Sequence, residues 1–310
     1  MKTLKLSVSP HIHSGRSTAG IMRDVLISLL PATIAGVVIF GLSSLSVIAA
    51  CVISCVGLEF LYNILLHREQ TVSDLSAAVT GLLLALNLPA STPIWQCVVG
   101  SLFAIIVVKA LFGGIGYNLV NPAITARVFM LVAFGSMAVP AFPAIADTAS
   151  SATPLSSEIQ GTGATLTDLF LGNIGGAIGE TCKAALLLGF VYLLVRRVIT
   201  WHLPVAYIGS VFLCSLCYRS FDLEAALALT LSGGLFIGAI FMATDYVTSP
   251  ATSKGKIVFG IGAGLITFLI RHFGVYPEGV SFAILTMNIL TPYIDELTKY
   301  KVLGKGGKAV

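Results

Sequence analysis

Apolar residues in this chain fall in long runs separated by short polar turns, with very little charge inside a run. A helix rises about 1.5 Å per residue, so about 20 apolar residues cross the hydrocarbon core of a bilayer. The runs predict helices near residues 24–42, 45–66, 75–88, 94–112 and 122–139, and again near 182–198, 203–217, 224–242, 257–273 and 279–294. Several fall short of a full span or are interrupted by Gly and Pro. The expected fold class is an all-α polytopic membrane protein of about ten transmembrane helices, arranged as two five-helix repeats with Gly/Pro-broken segments.

Composition agrees and excludes a water-soluble globule. Hydrophobic residues make up 56% of the 310 positions, charged residues 10%, and the mean hydropathy is +0.95. Lipid is the solvent such a surface requires. The formal charge of +4 is modest, and no nucleic-acid partner is expected. The N-terminal stretch is polar and basic, without an apolar core followed by a cleavage site, so the first span is read as the membrane signal.

Placement of the basic residues predicts the topology. Lys2, Lys5, Arg16 and Arg23 precede the first run, and Lys299, Lys301, Lys305 and Lys308 follow the last, which puts both termini in the cytoplasm of a bacterial cell membrane. Arg68, Arg196, Arg197, Lys254 and Lys256 then fall in cytoplasmic loops, against Arg219 and Arg271 outside. The chain divides into an N-terminal segment (1–23), a first repeat (24–140), an outward-facing loop (141–172), a second repeat (173–294) and a basic tail (295–310). The loop carries Asp147, Glu158 and Asp168 and no Lys or Arg. Long polar loops on rigid scaffolds often hold function.

Each half contains a Gly-rich entry and a polar turn with Pro: Gly113-Gly114-Ile115-Gly116-Tyr117-Asn118-Leu119-Val120-Asn121-Pro122 in one, and Gly233-Gly234 leading to Ala243-Thr244-Asp245-Tyr246-Val247-Thr248-Ser249-Pro250 in the other. Broken segments at matching places in two repeats point to a buried ligand site, because they free backbone groups. Ordinary helix kinks are the alternative. Glu59, Lys109, Arg127, Glu180 and Asp245 lie within apolar runs, where charge is expensive. Glu59 and Asp245 are candidates for a cation pathway, or else are paired internally. Cys214 with Cys217, and Cys51 with Cys55, are read as small core residues, and no metal site is expected.

Ser9-Pro10-His11-Ile12, Met22-Arg23-Asp24-Val25, Tyr117-Asn118-Leu119-Val120-Asn121-Pro122-Ala123, the stretch from Gly172 to Thr181, Ala243-Thr244-Asp245 and Tyr276-Pro277-Glu278-Gly279 resemble the RnfD component of Rnf electron-transport complexes almost end to end. The NqrB component of sodium-pumping NADH:quinone reductases is a relative with a longer N-terminal region. The resemblance implies flavin chemistry: FMN joined through its phosphate to a Thr hydroxyl in a short motif preceded by Asp, matched here by Asp147 and Ser150-Ser151-Ala152-Thr153-Pro154-Leu155. Thr153 is then the attachment residue, with Ser150, Ser151 and Ala152 as small neighbours that let a cofactor phosphate approach. Thr165, in a similar stretch, competes and is disfavoured by its spacing from an Asp.

The resemblance also implies a noncovalent riboflavin within the membrane, which Asn118 and Asn121 would meet with their amides; the same amides could instead satisfy backbone groups freed at Pro122. The implied activity is that of one component of an ion-translocating ferredoxin:NAD+ oxidoreductase, with no catalytic residue of its own. Its implied partners are the G, A, E and C subunits of the Rnf complex, the bilayer, and Na+ or H+. A channel or facilitator for a small solute is the competing function class.

Overall fold

The computed structural model describes residues 17–134, 165–274 and 279–299. The chain enters through α1 (Thr18–Phe40), started by Ser17, whose hydroxyl accepts from the Gly20 N–H at 3.1 Å. It turns at Gly41, whose φ of 76° excludes most side chains, into α2 (Leu42–Leu65). Next come α3 (Ser76–Leu86), α4 (Ile94–Leu102) with a π-helical continuation (Phe103–Ala110), and α5 (Pro122–Ala133). From residue 165 onward follow α6 (Leu166–Leu171), α7 (Lys183–Val195), α8 (His202–Tyr218) and α9 (Leu223–Leu231). The short α10 (Leu235–Ile237) also runs into a π-helical stretch (Gly238–Met242), and α11 (Ser253–Phe273) and α12 (Val280–Leu297) complete the described part.

Each of the ten apolar runs read from the sequence overlaps at least one of these helices, and the run at 224–242 holds two, α9 and α10. By length and composition α1, α2 and α11 can cross a bilayer alone, and α9 with the α10 segment meets the same test only as a bent pair, the form of a broken span or a re-entrant loop; α3, α4, α5, α7 and α8 are apolar but shorter. The run at 224–242, expected to be one helix, is bent by 66°. Its break has a local cause: Ser232 is extended and Gly233 sits at φ 66°. A second difference is α6, which occupies the end of the expected loop because Thr165 and Asp168 form a capping box.

Both faces of the long helices are apolar, the pattern of membrane spans. On α1, Leu29, Ala32, Gly36 and Phe40 are buried, while Leu30, Ile34 and Val38, spaced four apart, are 50%, 61% and 68% exposed. On α7, Leu188, Val191 and Val195 make the same outward stripe. With no hydrophobic drive between helices in lipid, small residues set how closely they approach. α8 lies along α11 at Gly260 and Gly264, and α1 meets α7 at Gly189, where a Cβ would strike the Ser28 carbonyl and lie 2.9 Å from the Phe241 ring. Gly189→Val should therefore separate α1 from α7 at a cost of about 1–3 kcal/mol, read as a lower thermal unfolding midpoint in detergent. An unchanged midpoint would mean that this contact does not limit stability.

Midway through the bundle two irregular stretches satisfy each other. α3 stops at Leu86, and the Leu86 and Leu88 carbonyls accept from the Gly179 and Ile178 N–H groups at 2.7 and 3.1 Å. Backbone that is not helical at this depth is tolerated where it is paired within protein.

Candidate functional site: a polar cavity between two broken segments

The turn at 111–121 and the turn at 243–252 each leave a π-helical stretch. Leu111 N–H donates to Ile106 O and Gly114 N–H to Lys109 O, both at 3.0 Å, and Ala243 N–H donates to Gly238 O at 2.8 Å. All three bonds reach five residues back, a widened turn that is frequent at functional sites. Each turn ends in a capped helix. Asn121 accepts from Ala123 and Ile124 N–H at 3.0 and 3.3 Å to start α5, and Thr252 accepts from Gly255 N–H at 3.0 Å to start α11. The Asn121 amide also donates to Met242 O at 3.2 Å, which ties the two turns together.

Between these turns, the first turns of α1 and the start of α3 lies a cavity of about 410 Å³, within the usual range for small-molecule sites. Its walls are mainly apolar, from residues such as Met22 and Phe241, with Thr80, Asn118, Thr244 and Asp245 as polar points. The Asn118 carboxamide oxygen is shielded from solvent and has no hydrogen-bond partner among the described residues. A buried acceptor left unpaired costs about 1–3 kcal/mol, so this oxygen favours a ligand that donates to it. The two asparagines thus have different situations: Asn121 is spent on capping and bridging, and Asn118 is free to recognise.

Asp245 also faces this cavity, and it accepts from the Thr248 hydroxyl at 3.3 Å within its own turn. Thr248 O in turn accepts from the Thr291 hydroxyl at 2.9 Å, so α12 holds the turn in place. Glu59 lies elsewhere, on α2. Its Oε1 accepts from Lys109 Nζ at 2.9 Å and from the Thr71 hydroxyl at 2.7 Å, and its Oε2 has no partner among the described residues. The two candidate carboxylates do not share a site: Glu59 lines a smaller cavity of about 180 Å³, with Lys109 between the two.

Other buried charges were legible only in part. Arg127 donates to the Asn87 carbonyl, closing the end of α3 against α5. Glu180 accepts from Ala177 N–H at 2.8 Å. Lys183 is fully buried and donates to Thr181 O at 3.3 Å, yet it stands at the edge of an apolar run and reads in the sequence as a boundary residue. Thr71 and Ser76 organise Glu59 and Lys109, and the sequence gives no hint of it; a hydroxyl beside a helix start carries no signal of its own.

Thr153, Ser150, Ser151 and Ala152 lie outside the described residues. Thr165 lies inside them, and its hydroxyl is engaged: it donates to Asp168 Oδ2 at 2.6 Å and accepts from Asp168 N–H at 3.3 Å. These bonds from Thr165 hold the Asp168 carboxyl below its ordinary value. A phosphoester at Thr165 would remove that donor and set phosphate charge against the carboxylate.

A helical bundle with outward apolar stripes, two π-bulged broken segments and a mainly apolar cavity at their meeting point defines a polytopic membrane protein. The chain belongs to the NQR2, RnfD, RnfE family, whose model matches residues 5–304. It is 46% identical over 308 residues, 97% of this chain and 95% of the relative, to the D subunit of the Na+-translocating ferredoxin:NAD+ oxidoreductase complex of Acetobacterium woodii. It is 38% identical to the D subunit of the proton-translocating ferredoxin:NAD+ oxidoreductase complex of Clostridium ljungdahlii, over 95% of this chain and 94% of that one. It is also 36% identical to the D subunit of the ion-translocating oxidoreductase complex of Actinobacillus succinogenes, over 97% and 98%.

Proposed function

We propose that this chain is the membrane flavoprotein component of a ferredoxin:NAD+ oxidoreductase complex of the Rnf type. It carries electrons across the cell membrane through FMN on Thr153 and riboflavin in the large cavity, with translocation of Na+ or H+. Its partners are the G, A, E and C subunits of that complex. The names of the relatives support the complex and the reaction, and they support either coupling ion, since one relative is named for Na+ and another for the proton.

The observation that carries the cofactor reading is the unpartnered Asn118 oxygen at the edge of the cavity. The isoalloxazine ring of a flavin presents an N–H between two carbonyl oxygens along one edge, which an amide matches with one acceptor and two donors. The apolar walls suit the rest of the ring. A bound flavin takes up and releases electrons singly or in pairs. The residues of the chain do the remainder: Asn118 orients the ring edge, Asn121 and Thr252 fix the two turns, and the mainly apolar walls flank the ring.

The orientation follows the basic residues. Arg196 pairs with Asp24 at 3.2 Å and Lys256 Nζ donates to Thr200 at 3.3 Å, so basic loops gather at the cavity end of the bundle. This supports a cytoplasmic cavity and an outward loop at 141–172. A single cysteine introduced at Ser157 should react with an impermeant maleimide only from the outer side of sealed vesicles; reaction from the cytoplasmic side alone would reverse the topology and the electron route. The test of the function itself is the intact mass of the chain purified from the complex, before and after treatment with base, together with the flavin released by denaturation. A base-labile increment of one FMN and one equivalent of released riboflavin are expected. An unmodified mass with no released flavin would reject the proposal and favour a colourless channel.

A further inference from the structure

Lys109, with Ile115, forms the shared wall of two cavities, and it is the charged member of that wall. It lies 3% exposed in the π-helical continuation of α4, lining both the large cavity with Asn118 and the small one with Glu59. Its ammonium sits between an acid and a hydroxyl: 2.9 Å from Glu59 Oε1, and bonded to the Ser76 hydroxyl, which itself donates to Asp74 Oδ1. Ser76 lines the large cavity too. The ion pair is nearly dry, with side-chain exposures of 4% and 7%. Such a pair cannot lose one partner without leaving a charge that must find another.

The small cavity is furnished for that other charge. Glu59 is 6% exposed and its Oε2 has no hydrogen-bond partner among the described residues. Around it stand Thr71, Asn63 and Tyr62, all offering neutral oxygens. Thr71 and Asn63 are already arranged about the carboxylate, the Asn63 amide donating to Thr71 Oγ1 at 3.0 Å. A carboxylate among hydroxyl and amide oxygens is the hard donor set that alkali and alkaline-earth cations take. Arg68, stacked over the Tyr62 ring at 5.6 Å, and the exposed Glu69 also line this cavity, and their formal charges cancel. With Lys109 on Glu59 the interior of the site is neutral; without it the site carries one negative charge.

We propose that Lys109 couples the two cavities, so that negative charge held in the large cavity draws the ammonium off Glu59 and lets the small cavity bind Na+. No covalent bond forms or breaks, and Lys109 keeps its protons. The ammonium shifts from Glu59 toward Ser76 and the large cavity, and returns when the negative charge leaves. Lys109 is thus a positioning residue for cation binding. The inference rests on the flavin reading of the large cavity, since a flavin is what would bring negative charge there on reduction.

The experiment measures equilibrium binding of radiolabelled Na+ to the purified whole complex in sodium-free buffer, oxidised and electrochemically reduced, with flavin content determined on the same samples. The wild-type complex should bind Na+ on the order of a hundredfold more tightly when reduced, the scale of one nearby unit charge in a partly screened interior. Lys109→Met should bind tightly in both states, because Glu59 is then permanently unpaired. Glu59→Gln, which leaves the Lys109 ammonium to Ser76, and the double variant E59Q/K109M, which buries no lone charge, should both lose the redox-dependent site. A wild-type redox dependence persisting in Lys109→Met with flavin retained overturns the coupling role alone. Should Lys109→Met fail to assemble, survival of redox-dependent Na+ binding in Glu59→Gln overturns the proposal by itself. Absence of noncovalent flavin from the wild-type complex removes the flavin reading and this inference with it.

Discussion

Thr153→Ala should leave this chain without covalent flavin and abolish ferredoxin-to-NAD+ electron transfer, while Thr165→Ala keeps both. The first substitution removes the hydroxyl that forms the proposed phosphoester, and a position read from the sequence as loop should tolerate a lost hydroxyl with little effect on folding. The second takes away a helix cap. Thr165 holds α6 through its bonds to Asp168, so Thr165→Ala should cost about 0.5–2 kcal/mol of local stability without touching the flavin. In-gel fluorescence under ultraviolet light reads both outcomes on one lane each. A fluorescent Thr153→Ala band beside a dark Thr165→Ala band would move the attachment to Thr165, and fluorescence in both would reject linkage to either threonine.

Asn118→Leu should release the noncovalent flavin while leaving the covalent one in place. The substitution deletes the unpaired acceptor in the cavity and puts an apolar group of similar size against the polar edge of the ligand, weakening binding by about tenfold or more. Asn121→Leu is a different experiment. It removes the cap of α5 and the bridge to Met242, so its first effect should be on stability, with flavin lost only as the two turns separate. Riboflavin released on denaturing each purified variant, set against its thermal midpoint, distinguishes the two. Full riboflavin occupancy in a stable Asn118→Leu complex would end the assignment of the cavity.

Much of the scaffold was legible because its causes are local. The apolar runs gave helix positions to within several residues, since roughly 20 apolar residues have few alternatives in lipid. Pro122 and the residues around it marked the start of α5, because proline is preorganised for the first helical turn and asparagine caps it. The bend at Ser232–Gly234 was harder to read. Its neighbours are apolar enough to continue a span, and only backbone angles reveal that they do not.

The candidate site divides along the same line. From the sequence come the membrane environment, the two polar turns and the set of charges that lipid makes expensive, because each depends on the solvent and on residues a few positions away. The tertiary structure decides which of those groups is already satisfied. Asn121 is spent because Met242 lies beside it from the other half of the chain, and the Asn118 oxygen is spare because no described donor reaches it. Glu59 is half-satisfied because Lys109, fifty residues on, reaches it across α2 and α4. Hydrogen bonding and ion pairing are properties of neighbours in space, and in a bundle of short helices those neighbours come from distant turns.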